Sequence, residues 1–210
     1  MNAVRAAKIL LLFWSGFSIM ALELLSSNLM APYFGASVYV WGSIIGTFMV
    51  HMSLGYVLGG YLARRFGRLA PLPLMALPGF AWLLLLPYMV GPLGDRVSEA
   101  VDDARLGSLI VMNILFAVPV VLAAMTSPYV IELNTVGGDR FGLRAGPALF
   151  ISTGGSFVGT IATSFYLIDL MPISEILRML GLTGLVVCGL IATLRPDARL
   201  EAAPAPAERG

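Results

Sequence analysis

The sequence predicts an all-α, polytopic membrane protein with six transmembrane helices and both termini in the cytoplasm. Of its 210 residues, 58% are hydrophobic and only 12% are charged, which is too few charges to cover a soluble domain of this length. The apolar residues are grouped in six runs, each long enough to cross a bilayer. The loops between these runs alternate between basic and neutral or acidic, as expected when successive loops lie on opposite sides of a membrane.

The six apolar runs define spans one to six, since a helix needs about 20 apolar residues to cross the hydrocarbon core. Span one is interpreted as an uncleaved helix, because no small-x-small cleavage site follows its apolar run. We therefore predict a six-helix transmembrane domain over residues 1–195 and a disordered, cytoplasmic tail rich in Ala, Pro and Glu over residues 196–210. The predicted spans are 9–30, 38–62, 72–92, 107–127, 147–168 and 173–194.

The basic residues predict the orientation. Of the 13 Lys and Arg residues, ten lie before span one, after spans two and four, or after span six. The positive-inside rule places that side in the cytoplasm and the chain in the plasma (inner) membrane, as a multi-pass protein. The net charge of +1 gives no reason to expect nucleic acid as a partner, and the single Cys188 with no Cys/His spacing predicts neither a metal nor a cofactor.

Spans one and two each carry polar and small residues on one helical face. In span one, Gly16, Glu23 and Ser27 lie close to one line, and Asn28 follows. Lipid-facing helices need no polar residues, so residues spaced four apart indicate contacts between helices. The corresponding line in span two consists of Ser43, Thr47, His51, Gly55 and Gly59.

Spans three and four carry proline and polar residues without a regular spacing of four. Span three carries Pro73, Pro78 and Pro87, which predict a kinked helix packed against neighbours that satisfy the freed carbonyl groups. In span four, Asn113 is expected to form a hydrogen bond between helices, and Glu132 is expected to reach water or Arg140 near the inner end.

Span five repeats the pattern of spans one and two, and the ridges of these three spans are expected to share one face of the bundle. Its line consists of Ser152, Ser156, Thr160 and Ser164, with Gly155 and Gly159 beside it. The residues assigned to helix packing are Gly55, Gly59, Gly155, Ser156 and Gly159.

Glu23 and His51 are the ionisable residues that packing alone does not explain. A charged side chain near the bilayer centre costs about 2.5–3.5 kcal/mol on insertion scales, so an ionisable group there is a functional candidate. The alternative is a neutral, hydrogen-bonded pair that locks spans one and two together. For ligand binding, the predicted residues are Glu23, Ser27, Asn28, Thr47 and His51.

The segment GGYLARRFGRL, at residues 59–69, resembles the loop signature of major facilitator transporters. Gly60, Arg65, Gly67 and Arg68 match this signature, whereas Arg64 stands where it has an aspartate. The resemblance implies a six-helix unit equivalent to one half of a major facilitator-type carrier.

A second resemblance covers most of the chain. It is carried by the stretches ELLSSNLMAPYFGASVYVWGSIIG, SLGYVLGGYLARR, TSPYVIEL and GLRAGPALFISTGGSFVGT, which resemble the membrane domain of spermidine synthase-like fused proteins. In that family a transporter-like helical region precedes a soluble aminopropyltransferase domain. Two departures are Asn28, where an arginine is expected, and Pro147. The glycine-rich loop and paired acids of the soluble domain are not in this sequence, so the resemblance carries no catalysis. The matching residues are Glu23, Pro32, Gly35, Trp41, Gly55, Tyr56, Gly59, Gly60, Gly146, Gly155, Ser156 and Gly159.

Two functions therefore stay open. The first is a non-catalytic, transporter-like protein that binds or moves a small ligand, such as a cationic amine, in a polar cleft around Glu23 between spans one, two and five, with a homodimer supplying the second half. The second is a membrane scaffold or accessory subunit for a separate aminopropyltransferase or a larger membrane complex. An intramembrane enzyme ranks last, because a single histidine and no nucleophile–base set leave little from which to build an active site.

Overall fold

The computed structural model describes residues 3–135 and 141–193, and almost all of them are helical. Six helical stretches in these residues are long and apolar enough to cross a membrane, which confirms the predicted number of spans. The predicted tail, residues 196–210, lies outside the described residues, and the sides on which the termini lie stay a prediction. The helices are α1 (Ala3–Phe34), α2 (Val38–Phe66), α3 (Pro71–Ala100), α4 (Ala104–Ala124), α5 (Thr126–Thr135), α6 (Phe141–Ala162), α7 (Ile168–Leu170) and α8 (Ile173–Thr193).

Two of the six spans contain an irregular turn. Span four consists of α4 and α5, which meet at Met125, three residues before Pro128. Proline cannot donate the helical hydrogen bond to the fourth preceding carbonyl, and its ring displaces that carbonyl, which explains a break at this point. Span five consists of α6 and α7 joined by a π turn at Thr163–Leu167, in which the Ile168 N–H bonds to the Thr163 carbonyl.

The first four spans extend further than the apolar runs predict. Helix α3 continues to Ala100, so most of the acidic segment after residue 92, which was expected to be a loop, is helical. An apolar run ends where the side chains become polar. A helix ends only where the backbone leaves the helical conformation, for example at a helix-breaking residue. The connection between α3 and α4 is therefore only residues 101–103, followed by a cap in which the Asp103 carboxylate accepts the Arg105 N–H at 2.8 Å.

The turn between α1 and α2 is fixed by a glycine and by two aromatic side chains. Gly35 has a φ of 76°, a conformation that glycine adopts without strain. On the helix before it, Tyr33 and Phe34 pack against glycines of α3 and α4: a Cβ added at Gly94 would lie 2.7 Å from the Tyr33 ring, and one at Gly107 would lie 2.5 Å from the Phe34 ring. The short turn thus holds the ends of three spans together.

The bundle is built from five strong helix pairs: α1 packs against α6, α2 against α4 and α5, and α3 against α4 and α8. Phe48 of α2 and Phe116 of α4 are fully buried, with ring centroids 5.6 Å apart. We call the end of the bundle that holds residues 35–37 and 101–103 the Gly35 end, and the opposite end, where α2 meets α3, the Arg68 end.

One proline of α4 has its freed carbonyl satisfied by a neighbouring span. Pro119 has no N–H to donate to the Leu115 carbonyl. The Trp82 indole N–H of α3 donates to that carbonyl at 2.9 Å. The sequence predicted this kind of compensation for the prolines of span three. The structure shows it for a carbonyl of span four, while α3 runs unbroken through Pro78 and Pro87.

Candidate functional site

The small residues of spans one and five face each other. A Cβ added at Gly155 would lie 2.9 Å from the carbonyl carbon of Phe13, and one at Gly159 would lie 2.8 Å from the Cα of Phe17. Only glycine allows backbones this close. From the first contact to the second, the position moves four residues forward in both helices, so α1 and α6 run parallel.

Polar groups line the same α1–α6 interface. The Ser156 hydroxyl donates to the Gly16 carbonyl at 3.2 Å, and the Ser152 hydroxyl accepts a hydrogen bond from Ser127 of α5 at 2.9 Å. Thr160 donates to the Ser156 carbonyl one turn back. The hydroxyl groups of α6 therefore bond to backbone carbonyls and to α5. They form no hydrogen bonds with the side chains of α1 in the described residues.

Glu23 lies on the Gly16 line of α1, seven residues further on. Its side chain is half-buried, and within the described residues its carboxyl group takes part in no hydrogen bond and no ion pair. The predicted partner does not reach it: the Ser27 hydroxyl donates instead to the Leu24 carbonyl at 2.8 Å, because a serine in a helix readily bonds to its own preceding turn. Asn28, the next predicted site residue, is exposed.

The ridge of span two does not join this interface, so the prediction of one shared face is wrong in part. Gly55 and Gly59 pack against span four. A Cβ added at Gly55 would lie 2.7 Å from the Ala124 Cβ, and one added at Gly59 would lie 2.9 Å from the carbonyl carbon of Met125. Helices α2 and α6 share no substantial contact in the described residues. Span four can accept the ridge because it offers the small side chain of Ala124 at the point of contact.

His51 is buried in the contact between α2 and α4, where its Nε2 lies 3.1 Å from Oδ1 of Asn113. The amide nitrogen of Asn113 donates to the Leu109 carbonyl at 2.8 Å, which turns the amide oxygen towards the histidine. The Nε2 atom must then carry the proton, and the buried Nδ1 is a bare acceptor with no partner. Asn113 thus bonds between helices, and Glu23 and His51 are not a hydrogen-bonded pair.

Three buried hydroxyl groups in the described residues also lack partners, and one of them is that of Ser18 in α1. Thr47 lies one turn before His51 on the same face, and its Oγ1 forms no hydrogen bond. Thr163, the first residue of the π turn, is fully buried and its Oγ1 is likewise unpartnered. The sequence pattern predicted Thr47 as a site residue but did not predict Thr163. The available signal was its position seven residues, or two helical turns, after Ser156 on the line that faces α1.

Polar contacts at the Arg68 end tie α5 to three parts of the chain. Arg64 of α2 pairs with Glu132 at 2.9 Å, and Lys8 of α1 donates to the Asn134 side chain at 2.7 Å. The buried Tyr129 donates its hydroxyl to the Arg68 carbonyl at 2.7 Å. Arg140, the residue that the sequence paired with Glu132, lies outside the described residues.

The Gly35 end carries an excess of acidic side chains. Asp95, Glu99, Asp102, Asp103, Asp169 and Glu175 are all exposed there. Two basic residues at this end stack on aromatic rings: Arg105 lies 3.9 Å from the centroid of Tyr39, and Arg178 lies 5.6 Å from that of Tyr88. In the described part of the chain, no group of three or more His, Cys, Asp or Glu residues could hold a metal ion.

The fold and these polar groups define an integral membrane protein with ionisable residues inside its spans. Comparison with protein-family models, with curated proteins and with solved structures finds no match. The side chains themselves therefore have to indicate the function.

Proposed function

We propose that the chain is a transporter-like membrane protein that binds a small cationic ligand, such as a protonated amine, at Glu23. The observation that carries this proposal is the carboxyl group of Glu23, half-buried within span one and without an internal partner in the described residues. An ionisable group inside a span is costly, and a carboxylate kept there without a neutralising partner is suited to a cation from outside.

The acidic Gly35 end supports the same proposal. Glu23 lies eleven residues before Phe34, the last residue of α1, which is about 16 Å at 1.5 Å per residue. The exposed acids of that end would raise the local concentration of a cation before it reaches this depth. The resemblance to the membrane domain of spermidine synthase-like proteins favours an amine as the ligand.

The test is Glu23→Gln in purified protein, with spermidine as the probe. Glutamine keeps the shape and the hydrogen-bonding capacity of a neutral acid but cannot carry a negative charge. We expect wild-type protein to bind spermidine, with loss of most of this binding in Glu23→Gln and little change in thermal stability. Glu99→Gln, which removes an exposed acid at the Gly35 end, is the matched control and should reduce the affinity only at low salt.

Equal spermidine affinity in wild type and Glu23→Gln would contradict the proposal. Loss of stability in Glu23→Gln, together with no spermidine binding by the wild type, would favour a structural role for this carboxyl group.

The alternative function, a scaffold or accessory subunit, is favoured by the outer face of α2. Gly42 and Gly46 lie four residues apart on this face, and a Cβ added at either one would meet nothing within 4 Å. Small residues at this spacing in a span are typical of close helix contacts, so a second copy or a partner subunit would cover them. Cysteine cross-linking at Gly46 in native membranes tests this function: a cross-linked dimer or complex supports it, and monomer alone contradicts it.

A further inference from the structure

The register between α1 and α6 brings Glu23 towards the π turn of span five. Gly16 lies against Ser152 and Ser156 of α6, and the two helices run parallel. Seven residues are close to two full helical turns, so the same side of α1 recurs at Glu23 and the same side of α6 recurs at Gly159 and Thr163. The helix pair therefore places Glu23 beside the start of the π turn.

This part of the interface contains two oxygen-bearing side chains without partners. Thr163 is fully buried, and its hydroxyl oxygen has no hydrogen bond. The carboxyl group of Glu23 has none within the described residues either. A buried hydroxyl group without a partner costs about 1–3 kcal/mol, so a ligand that bonded to Thr163 would remove this cost.

The π turn adds a backbone feature to the same place. The Ile168 N–H bonds to the Thr163 carbonyl five residues back, instead of the four residues of an α turn. Where the helix changes from one hydrogen-bonding register to the other, one carbonyl oxygen is left without its usual helical N–H partner. Such irregular turns inside spans are common at functional sites, and carbonyls at interrupted helices are used by transporters to coordinate sodium ions.

We propose that Glu23, the Thr163 hydroxyl and a carbonyl oxygen of the π turn form a binding site for a sodium ion. All of these ligands are oxygen atoms, which suit a small, hard cation. The single carboxylate matches a monovalent ion: Glu23 is the only acidic residue of span one, and Asp169, which follows the π turn, is exposed. An ion between α1 and α6 would bind both side chains without requiring a direct hydrogen bond between them. This inference rests on the proposed function, because it uses Glu23 as a cation ligand.

The experiment measures the midpoint of thermal unfolding of the full chain in detergent, in sodium, potassium and choline chloride at equal ionic strength. We expect sodium to raise the wild-type midpoint above that in choline by about 3 °C or more at ten times its Kd. Glu23→Gln and Thr163→Val should lose this rise, because each removes one oxygen ligand. An equal midpoint in all three salts, or a rise of the same size in potassium, would overturn the proposal.

Two variants separate ligand binding from simple packing. Thr163→Ser keeps the hydroxyl group and should keep the sodium-dependent rise, even if its midpoint in choline is lower. Ser164→Ala removes the exposed neighbouring hydroxyl of the same turn and should leave the rise unchanged. A full sodium-dependent rise in Thr163→Val would contradict the assignment of Thr163.

The same variants distinguish this inference from the proposed function. If Glu23→Gln loses spermidine binding while sodium has no effect on any variant, the proposed function stands and the sodium site is wrong. If neither cation depends on Glu23, both are wrong.

Discussion

The imidazole Nε2 of the buried His51 lies 3.1 Å from the amide oxygen of the exposed Asn113, and this contact joins spans two and four. The direction of the hydrogen bond follows from a third group, the Leu109 carbonyl, which accepts a hydrogen bond from the amide nitrogen of Asn113 at 2.8 Å. The orientation of one side chain therefore decides the tautomer of another. The remaining ring nitrogen, Nδ1, is left as a buried acceptor.

The first prediction concerns that tautomer. His51 is the only histidine in the chain, so ¹⁵N labelling of histidine gives one pair of ring signals to assign. We expect the spectrum of a neutral ring with a protonated Nε2 and a bare Nδ1. In Asn113→Leu the amide oxygen is gone, and the ring should show a mixture of tautomers. A protonated Nδ1 in the wild-type protein would contradict the hydrogen-bond network described above.

The same contact predicts a stability effect. Asn113→Ala leaves the buried Nε2–H of His51 without an acceptor, and hydrogen bonds between spans are worth about 0.6–2 kcal/mol. We expect a loss of this size in the free energy of unfolding in detergent. Asn28→Ala, at the exposed asparagine of α1, should change it by less than about 0.5 kcal/mol. Equal losses in both variants would mean that the histidine contact contributes nothing specific.

Adjacent glycines give a matched test of helix packing. A Cβ at Gly155 would overlap the backbone of Phe13, whereas a Cβ at Gly154 would meet nothing within 4 Å. Gly155→Ala should therefore destabilise the protein by about 1–3 kcal/mol, because the two helices must separate. Gly154→Ala should be neutral or stabilising by up to about 1 kcal/mol, because alanine is the better helix former.

Chemical denaturation of both variants in detergent checks this difference. Gly59→Ala and Gly60→Ala form a second pair, for which the same argument predicts the same contrast: Gly59 packs on Met125 and Gly60 has open space. A stable Gly155→Ala variant would show that α1 and α6 do not pack this closely.

The sequence predicted the number of spans well because hydropathy over 20 residues is a strong signal that needs no partner. It predicted the ends poorly, and Ala100 of α3 shows why. The segment after Gly94 is charged but contains no helix breaker, so the helix continues beyond the apolar run. Polarity and helix formation are separate properties of a sequence. The side chains become polar at the edge of the membrane, but the helix does not have to end there.

The sequence predicted which helix faces carry small and polar residues, but not how those faces are arranged. Residues spaced four apart indicate that a helix has a packing face, but they do not name its partner. The ridges of spans one and five face each other, and the ridge of span two faces span four, whose small residues are less regularly spaced. The partners are set by contacts between residues far apart in the sequence, such as Gly155 with Phe13 and Gly59 with Met125, which no local pattern contains.

The fourth prediction concerns orientation and uses the corrected helix ends. An insertion near Ser98 would interrupt α3, so the accessible position between spans three and four is Asp102. In whole cells, a membrane-impermeant maleimide should label Asp102→Cys but should label Arg68→Cys only after permeabilisation, because the positive-inside rule predicts that the basic loops lie in the cytoplasm. The native Cys188 is buried and is a suitable internal control. Labelling of Arg68→Cys in intact cells would reverse the predicted topology.

The last prediction uses the hydrogen bond between the Trp82 indole and the Leu115 carbonyl at 2.9 Å. Trp82→Phe removes the only side-chain donor that this carbonyl has in the described residues, and we expect a loss of about 1–3 kcal/mol in the free energy of unfolding. Part of this loss comes from the smaller ring, so the informative variant is the double one. Pro119→Ala supplies a backbone N–H at the position that normally donates to Leu115. If the carbonyl is the cause, Pro119→Ala should recover about 1 kcal/mol in the Trp82→Phe background and much less in the wild-type background. A double-mutant cycle measures this coupling directly. A coupling energy of zero would mean that Trp82 contributes by packing alone and that the carbonyl freed by Pro119 is satisfied elsewhere.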